Sequence, residues 1–221
     1  MPIQDAINDL QNGRFVMIHD AGERENEYDM VIAAQFIKPE HISKMRVDAG
    51  GLLCLALEHN FAISLGLEYM HRILEDSSIP SQMILGRAKY GDHPTFSIGI
   101  NHIDAYTGIT DIERAHTIRQ MSRLYEADGD MRSKFIQSFQ TPGHVPLLIA
   151  ADGLLYTRQG HTEMSVYLAG MAELLPMAAI CEMMDSKTHM ALKEDEAHKF
   201  AQKNSIKIVE STELLEELTV Q

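Results

Sequence analysis

Residues 15–34 read FVMIHDAGERENEYDMVIAA, an acidic stretch between two apolar runs. The runs at 15–18 and 30–34 predict two buried strands. The loop at 20–29 sets Arg24 among five carboxylates. Because buried strands would pin this loop at the rim of a sheet, its carboxylates favour a hard cation such as magnesium. A solvated, charged hairpin tip is the alternative that this stretch alone leaves open.

Segments of helical and strand period alternate along the rest of the chain. The periodicity predicts helices near 3–10, 38–49, 110–124, 161–171, 192–204 and 211–218, with strands at 52–57, 95–101, 145–150, 154–157, 177–184 and 206–209. This order is typical of an α/β (α+β) protein. We therefore expect a layered α-β-α sandwich with a mixed β-sheet, and a single domain spanning residues 1–221.

Three local patterns refine this prediction. Thr110 is a helix N-cap with Glu113 completing a capping box, and the helix buries a stripe at Ile112, Ala115, Ile118, Met121 and Leu124. The segment 141–144 is a breaker ahead of a strand. Residues 66–94 lack clear periodicity, which predicts a long, partly mobile loop of the kind that often covers a binding site.

Composition restricts the function classes. The formal charge of −13 disfavours binding to nucleic acid or to anionic membranes. No apolar run approaches the roughly 18 residues of a membrane span, and we expect no targeting segment. The two cysteines, Cys54 and Cys181, lie in apolar runs and form no disulfide framework. We expect a cytoplasmic protein without nucleic-acid or membrane partners.

Five groups of polar residues lie at the ends of apolar strands, where the sites of α/β proteins assemble. They are the acidic loop, the segment 107–110, His144, the run 158–163 and Glu182. Taken singly, each has an ordinary structural explanation as a cap, a turn or a surface charge. Together they suggest a metal site with a loop carboxylate and the imidazole of His161. Arg158 and helix amides would form an anion pocket beside that site.

Five motifs, in order and spacing, resemble one known family. They are Arg24-Glu25-Asn26-Glu27 with Asp29, Thr107-Gly108-Ile109-Thr110, Pro142-Gly143-His144-Val145, Gly160-His161-Thr162-Glu163, and Cys181-Glu182. This pattern is similar to that of 3,4-dihydroxy-2-butanone 4-phosphate synthases of riboflavin biosynthesis, in the monofunctional form. The resemblance spans roughly residues 1 to 210.

The resemblance implies a homodimeric carbon-carbon lyase. The enzyme would convert D-ribulose 5-phosphate to 3,4-dihydroxy-2-butanone 4-phosphate and formate. The steps would be a metal-stabilised enediolate, a skeletal rearrangement and the loss of one carbon. Two Mg²⁺ or Mn²⁺ ions per active site are implied as cofactors.

The resemblance also implies the site residues. Glu25 and His161 would be metal ligands. The implied catalytic positions are Asp20, Glu27, Cys54, Thr110, His144 and Glu182. The implied substrate-binding positions are Arg24, Glu25, Asp29, Arg158, Gln159, Gly160, His161, Thr162 and Glu182.

Several positions depart from the family pattern. In the acidic loop, Tyr28 stands where the family usually has Gly, and Ala21-Gly22 replace part of a segment that is more acidic in the family. Elsewhere, Thr141 stands where Arg is common, and His116 stands where Thr is frequent. Two other functions remain open. A magnesium-dependent sugar-phosphate isomerase or aldolase needs the same enediolate chemistry but releases no formate, and a non-catalytic sugar-phosphate-binding module would show no turnover.

Overall fold

The computed structural model describes residues 2–20 and 22–220 of the chain. Its main sheet has the strand order β4-β5-β3-β6-β2-β1-β9, and β7 pairs with β8 in a small ribbon. Parallel and antiparallel neighbours are mixed, since β1 runs antiparallel to β2 but parallel to β9. The strands are β1 (Val16–His19), β2 (Tyr28–Ala33), β3 (Cys54–Leu57), β4 (Phe96–His102), β5 (Phe139–Ile149), β6 (Met177–Glu182), β7 (Met184–Asp185), β8 (Met190–Ala191) and β9 (Lys207–Glu210).

Helices cover both faces of the main sheet. They are α1 (Pro2–Gln11), α2 (Pro39–Lys44), α3 (His59–Ser64), α4 (Met70–Glu75), α5 (Asp111–Tyr125), α6 (Met131–Ser138), α7 (His161–Met171), α8 (Glu194–Asn204) and α9 (Ser211–Val220). A π-helical turn at Met45–Ala49 extends α2, and 3-10 turns lie at Ala34–Phe36, Ser81–Met83 and Leu154–Tyr156. Within the described ranges, no helix is long and apolar enough to cross a membrane.

The two faces of the sheet bury separate apolar clusters because side chains alternate along each strand. In β1, Met17 joins a cluster with residues of α2, α5 and α8, whereas Val16 and Ile18 join one with residues of α1, α7 and α9. This arrangement confirms the predicted layered fold with a mixed sheet. The extent of the domain, residues 1–221, stays a prediction.

Two predictions of local structure were wrong. Residues 154–157 form a 3-10 turn instead of a strand, because Gly153 has a left-handed φ of 83° and the amide of Thr157 donates to the carbonyl of Leu154. A short apolar run cannot by itself distinguish these structures. Ile112 is not part of the buried stripe. It lies in the first turn of α5 and is 68% exposed, whereas Ala115 and Ile118 are buried.

Other segments differ in detail. Residues 141–144 do not precede β5 but bulge within it, since Val145 faces Ile100 while Gln140 faces Asn101. The segment 66–94 contains α4 and a 3-10 turn. No residue of α4 is buried, and at six residues the helix is too short for Met70, Ile73 and Leu74 to establish a helical period. Of the predicted departures in the acidic loop, Ala21 lies outside the described residues.

Candidate active site

The acidic loop connects β1 and β2 and folds around Asp20. The Asp20 carboxylate is fully buried. It accepts hydrogen bonds from the backbone amides of Glu25 (3.1 Å) and Glu27 (2.9 Å) and from Nη1 of Arg24 (2.8 Å). Because these donors hold both oxygens, Asp20 fixes the shape of the loop and the direction of its other carboxylates.

Arg24 balances the negative charge of the loop. Its Nη1 also donates to Glu25 (2.7 Å), and its Nε donates to Asp92 (2.9 Å). The guanidinium lies 4.7 Å from the ring centre of Tyr90, within cation-π range. Burial alone would lower the pKa of Arg24, but these carboxylates raise the pKa well above its usual range. Nη2 is buried without a hydrogen-bond partner.

His161 is the first residue of α7 and is buried against the loop. Its Nδ1 lies 3.3 Å from Oε2 of Glu25, and its Nε2 lies 3.1 Å from the carbonyl oxygen of Glu27. Burial would lower the pKa of His161, but Asp29 and Glu25 raise the pKa to about 9. The imidazole is therefore protonated at neutral pH here. A cation bound to it would displace that proton, since a ligand imidazole must be neutral.

Asp29 is a buried carboxylate with incomplete hydrogen bonding. Its Oδ1 lies 3.9 Å from Nε2 of His161 and has no hydrogen-bond partner. Burial raises the pKa of Asp29 to about 7, partly offset by His161. Burial and the charge of Glu25 also raise the pKa of Glu27. An unpartnered oxygen in such a place favours a bound cation, because a buried carboxylate without one is costly.

Glu182 lies opposite Asp29 in the antiparallel pair of β2 and β6. Its Oε2 accepts a hydrogen bond from the amide of Leu52 (2.7 Å), so this glutamate has the partner that an apolar strand requires. Gly51 makes the contact possible: a Cβ there would lie 2.4 Å from the carbonyl oxygen of Glu182.

These groups form a candidate cation site. One ligand atom each of Asp20, Glu25 and His161 lies within 4.8 Å of the others. Carboxylates with a single imidazole suit magnesium, which prefers oxygen ligands, better than a dedicated zinc site. The adjoining cavity of about 220 Å³ is lined by Glu25, Glu27, Asp29, Leu85, Ala88, Tyr90, Pro94, Thr95, Phe96, Leu148, Arg158, His161, Thr162, Ile180 and Glu182.

An anion corner adjoins this cavity where Arg24 and Arg158 converge on Gly160. A Cβ at Gly160 would lie 2.2 Å from Nη1 of Arg158 and 2.8 Å from Nη2 of Arg24, so a side chain there would displace the two guanidiniums from this position. Gly160 is also the N-cap of α7, whose free amides favour anions. Arg158 donates to the buried Glu163, and its Nε is buried without a hydrogen-bond partner.

The remaining predicted residues near this pocket are placed as follows. Gln159 lines a recess together with Arg24 and Arg158. The Oγ1 of Thr162 lies 3.0 Å from Oγ1 of Thr95. Cys54 is buried on β3, where burial and then the charge of Glu182 raise the pKa of its thiol far above the usual range. A neutral thiol there can pack or donate a hydrogen bond but is a poor nucleophile.

Thr110 and His144 lie apart from the pocket. Neither is among the described residues that line it. Both are exposed, and His144 is tied to Asn101, whose Oδ1 accepts from the His144 amide (2.8 Å). Thr110 caps α5 by accepting from the amide of Glu113. The structure thus brings together the acidic loop, the run 158–163 and Glu182, and leaves these two on another surface.

Two residues that contact Arg24 beside the pocket were missed by the sequence analysis. Tyr90 and Asp92 both contact Arg24 and lie in the segment that had been predicted only as a loop. An aromatic and a carboxylate beside Gly91 and Pro94 are the only local signal. Nothing in that signal identifies Arg24, 68 positions away from Asp92, as the partner.

Comparisons with known proteins agree on one family. A family profile described as 3,4-dihydroxy-2-butanone 4-phosphate synthase matches residues 4–217. Curated proteins of that name from Methanothermobacter thermautotrophicus and Archaeoglobus fulgidus are 42% and 38% identical. The alignments cover 97% and 98% of this chain and 94% and 93% of theirs. A solved 3,4-dihydroxy-2-butanone 4-phosphate synthase in complex with two magnesium ions is 27% identical. It superposes with a TM-score of 0.80 over 98% of this chain and 95% of that one.

Proposed function

The chain belongs to the 3,4-dihydroxy-2-butanone 4-phosphate synthase family, and we infer that its acidic pocket converts D-ribulose 5-phosphate to 3,4-dihydroxy-2-butanone 4-phosphate and formate for riboflavin biosynthesis. One observation carries this inference. The clustered ligand atoms of Asp20, Glu25 and His161 lie beside a corner where Arg24 and Arg158 meet. A cation site next to an anion site matches a substrate with a ketone and hydroxyls at one end and a phosphate at the other.

We propose that the pocket holds two divalent cations, Mg²⁺ or Mn²⁺, with Glu25 and His161 as ligands. The unpartnered Oδ1 of Asp29 and the carboxylates of the loop supply further oxygen atoms for such a site. When bound, these cations would polarise the substrate ketone and make the neighbouring C–H bond more acidic.

Proton transfers are assigned to the carboxylates that line the cavity. Removal of a proton next to the ketone, loss of water and release of a one-carbon unit each need a group that accepts or donates a proton. Glu27, Asp29 and Glu182 all line the cavity. Asp20 is bound to the loop amides and to Arg24, so we assign it to holding the loop in place.

The phosphate is assigned to the corner formed by Arg24, Arg158 and the N-terminus of α7. The unpartnered Nη2 of Arg24 and Nε of Arg158 are the donors available there. Arginine is well suited to phosphate because its planar fork donates two parallel hydrogen bonds. Asp92 also approaches both arginines, at 2.9 Å from Nε of Arg24 and 3.6 Å from Nε of Arg158. It therefore competes with the phosphate for these donors.

We further propose that the active form is a homodimer. Large apolar side chains are exposed around Thr110, namely Ile103 (52%), Tyr106 (97%), Ile109 (52%) and Ile112 (68%). These four residues are called the apolar patch below. Exposed apolar groups at this density favour a protein contact. In a two-fold dimer this surface would carry Thr110 and His144 towards the pocket of the partner.

The cytoplasmic location stays a prediction. It rests on two buried free thiols, Cys54 and Cys181, which suit a reducing compartment.

The test of the function is formate release from D-ribulose 5-phosphate, first with Mg²⁺ and then with EDTA. With Mg²⁺ we expect formate to form in proportion to 3,4-dihydroxy-2-butanone 4-phosphate. With EDTA we expect formate release to stop. An isomerase would instead give another pentose phosphate and an aldolase a cleaved triose, both without formate. A folded protein that releases no formate with any divalent metal would contradict the proposal.

A further inference from the structure

A second cluster of metal-ligating side chains lies outside the acidic pocket, between the end of β4 and α5. It consists of His102, Asp104 and His116. The Nε2 of His116 lies 3.2 Å from Nδ1 of His102, and Oδ2 of Asp104 lies 3.4 Å from the same Nδ1 and 3.8 Å from Nε2 of His116. These three candidate ligand atoms therefore lie within 3.8 Å of one another, and Nδ1 of His102 also accepts a hydrogen bond from the backbone amide of Asp104 (3.3 Å).

The spacing of these atoms matches a four-coordinate metal. Nitrogen and oxygen ligands at about 2.0–2.1 Å from a tetrahedral zinc ion are roughly 3.3 Å apart. The three separations of 3.2, 3.4 and 3.8 Å lie near that value. A carboxylate with two imidazoles leaves the fourth position to water.

Packing holds the cluster in place before any ion binds. His102 is 8% exposed, and its ring packs edge-on against Phe139 at a centroid distance of 5.3 Å. Its amide donates to Oγ1 of Thr117 (3.0 Å), which ties the end of β4 to α5.

We propose that His102, Asp104 and His116 bind one transition-metal dication of the zinc class. Two imidazoles and one carboxylate suit zinc, whereas magnesium prefers oxygen ligands, so this site differs in kind from the acidic pocket. The cation links the start of the segment 103–110, which carries Thr107 and Thr110, to α5. It thereby stabilises the part of the chain that displays the apolar patch.

The test uses Zn²⁺ and Co²⁺ with metal-stripped full-length protein. To keep the acidic pocket from binding zinc, all proteins carry Glu25→Gln and His161→Asn. Zinc is measured by equilibrium dialysis. Cobalt is followed by its visible absorption, which is intense only in four-coordinate sites. His116→Ala and Asp104→Asn remove partly exposed ligands, with side chains 30% and 71% exposed, and are chosen because they disturb the core least.

We expect one zinc ion per chain, intense cobalt bands, and a rise in melting temperature with zinc. His116→Ala should weaken zinc binding at least about tenfold and abolish the cobalt bands. The matched control His198→Ala, which removes an exposed histidine of α8, should leave both unchanged. Equal zinc binding by His116→Ala and its parent, or the absence of cobalt bands in the parent, would show that the three residues form only a hydrogen-bonded triad.

Discussion

At the scale of single residues, the pocket depends on a balance between buried charges of opposite sign. Arg24 contacts Asp20, Glu25 and Asp92 within 2.9 Å. Because desolvated charges are stable only when paired, removing one partner affects the others. Burial alone would raise the pKa of Glu25, but the hydrogen bond with His161 and the charge of Arg24 lower this pKa below its usual range, so the carboxylate is ionised and able to bind a cation.

Replacing Glu25 tests its assignment as a metal ligand. Glu25→Gln keeps the size of the side chain but removes its charge, so we expect metal-dependent formate release to fall at least about 100-fold. Glu23→Gln, an exposed glutamate of the same loop, is the matched control and should stay within about twofold. Initial rates with Mg²⁺ measure both. Metal-dependent turnover that persists in Glu25→Gln would remove this residue as a ligand.

Asp92 provides a test of the phosphate corner. Asp92→Asn removes a negative charge that lies against Arg24 and Arg158. Since a charge-assisted hydrogen bond contributes about 1.5–3 kcal/mol, we expect inorganic phosphate to inhibit roughly tenfold more tightly. Competitive inhibition constants measure the effect, with the exposed Asp76→Asn as control. An unchanged or weaker inhibition by phosphate would place the phosphate elsewhere.

At the scale of elements, the loop before α5 is organised by one carboxylate. Glu113 accepts hydrogen bonds from Thr110 Oγ1 (2.9 Å) and Thr107 Oγ1 (3.0 Å) and from the amides of residues 106–108. The predicted capping box is thus present in part. Thr110 accepts from the Glu113 amide, but the glutamate side chain reaches the preceding loop instead of the N-cap amide.

This arrangement predicts a pH dependence of stability. The hydrogen bond from Thr110, with those from the loop amides, lowers the pKa of Glu113 to about 2, from 4.5 for a free glutamate. A carboxylate whose pKa is lower in the folded than in the unfolded protein stabilises the fold. This contribution is complete at pH values above the unfolded pKa of 4.5 and is lost as the pH falls from 4.5 towards 2. Glu113→Gln should therefore unfold more easily at pH 7, with a difference from the native protein that shrinks below pH 4.5.

Urea unfolding at pH 7, 4 and 3 measures this difference. Glu126→Gln, an exposed glutamate at the other end of α5, is the control and should show no such trend. A deficit in Glu113→Gln that stays constant from pH 7 to pH 3 would contradict the assigned role of the charge.

At the scale of the whole molecule, the proposed active site is divided between two surfaces. The acidic pocket lies between β2, β6 and α7, whereas Thr110 adjoins Ile109 of the apolar patch and His144 is hydrogen-bonded to Asn101 of β4. We choose Ile112 to test the proposed dimer contact because this residue is 68% exposed. Ile112→Glu should shift the protein from dimer to monomer and lower formate release at least tenfold, since a charge in an apolar contact is costly.

Sedimentation velocity and the formate assay on the same samples measure this prediction. Met190→Glu adds the same charge at a residue that is 66% exposed on β8, and should leave both the dimer and the activity intact. A native protein that sediments as a monomer, or an Ile112→Glu variant that stays dimeric and fully active, would contradict the proposed interface.

The sequence by itself determined the class of the fold and much of the site. Periodicity and apolar runs are local properties, so α5, α7 and the buried strands β1 and β2 were predictable. The motifs from Arg24 to Glu182 identified the family. Local ambiguity explains the errors: the short run at 154–157 fits either a strand or a turn, and α4, with six residues, is too short to establish a helical period.

Only the tertiary structure decided which distant residues meet and how they ionise. Asp92 pairs with Arg24 across 68 positions, and His102 approaches His116 across 14. Strand order and packing set these pairings. The pKa of Asp29 near 7 likewise follows from burial, which sequence composition does not encode. Periodicity is a local property of the chain, whereas contact, desolvation and charge pairing arise when the sheet and its two helical layers assemble.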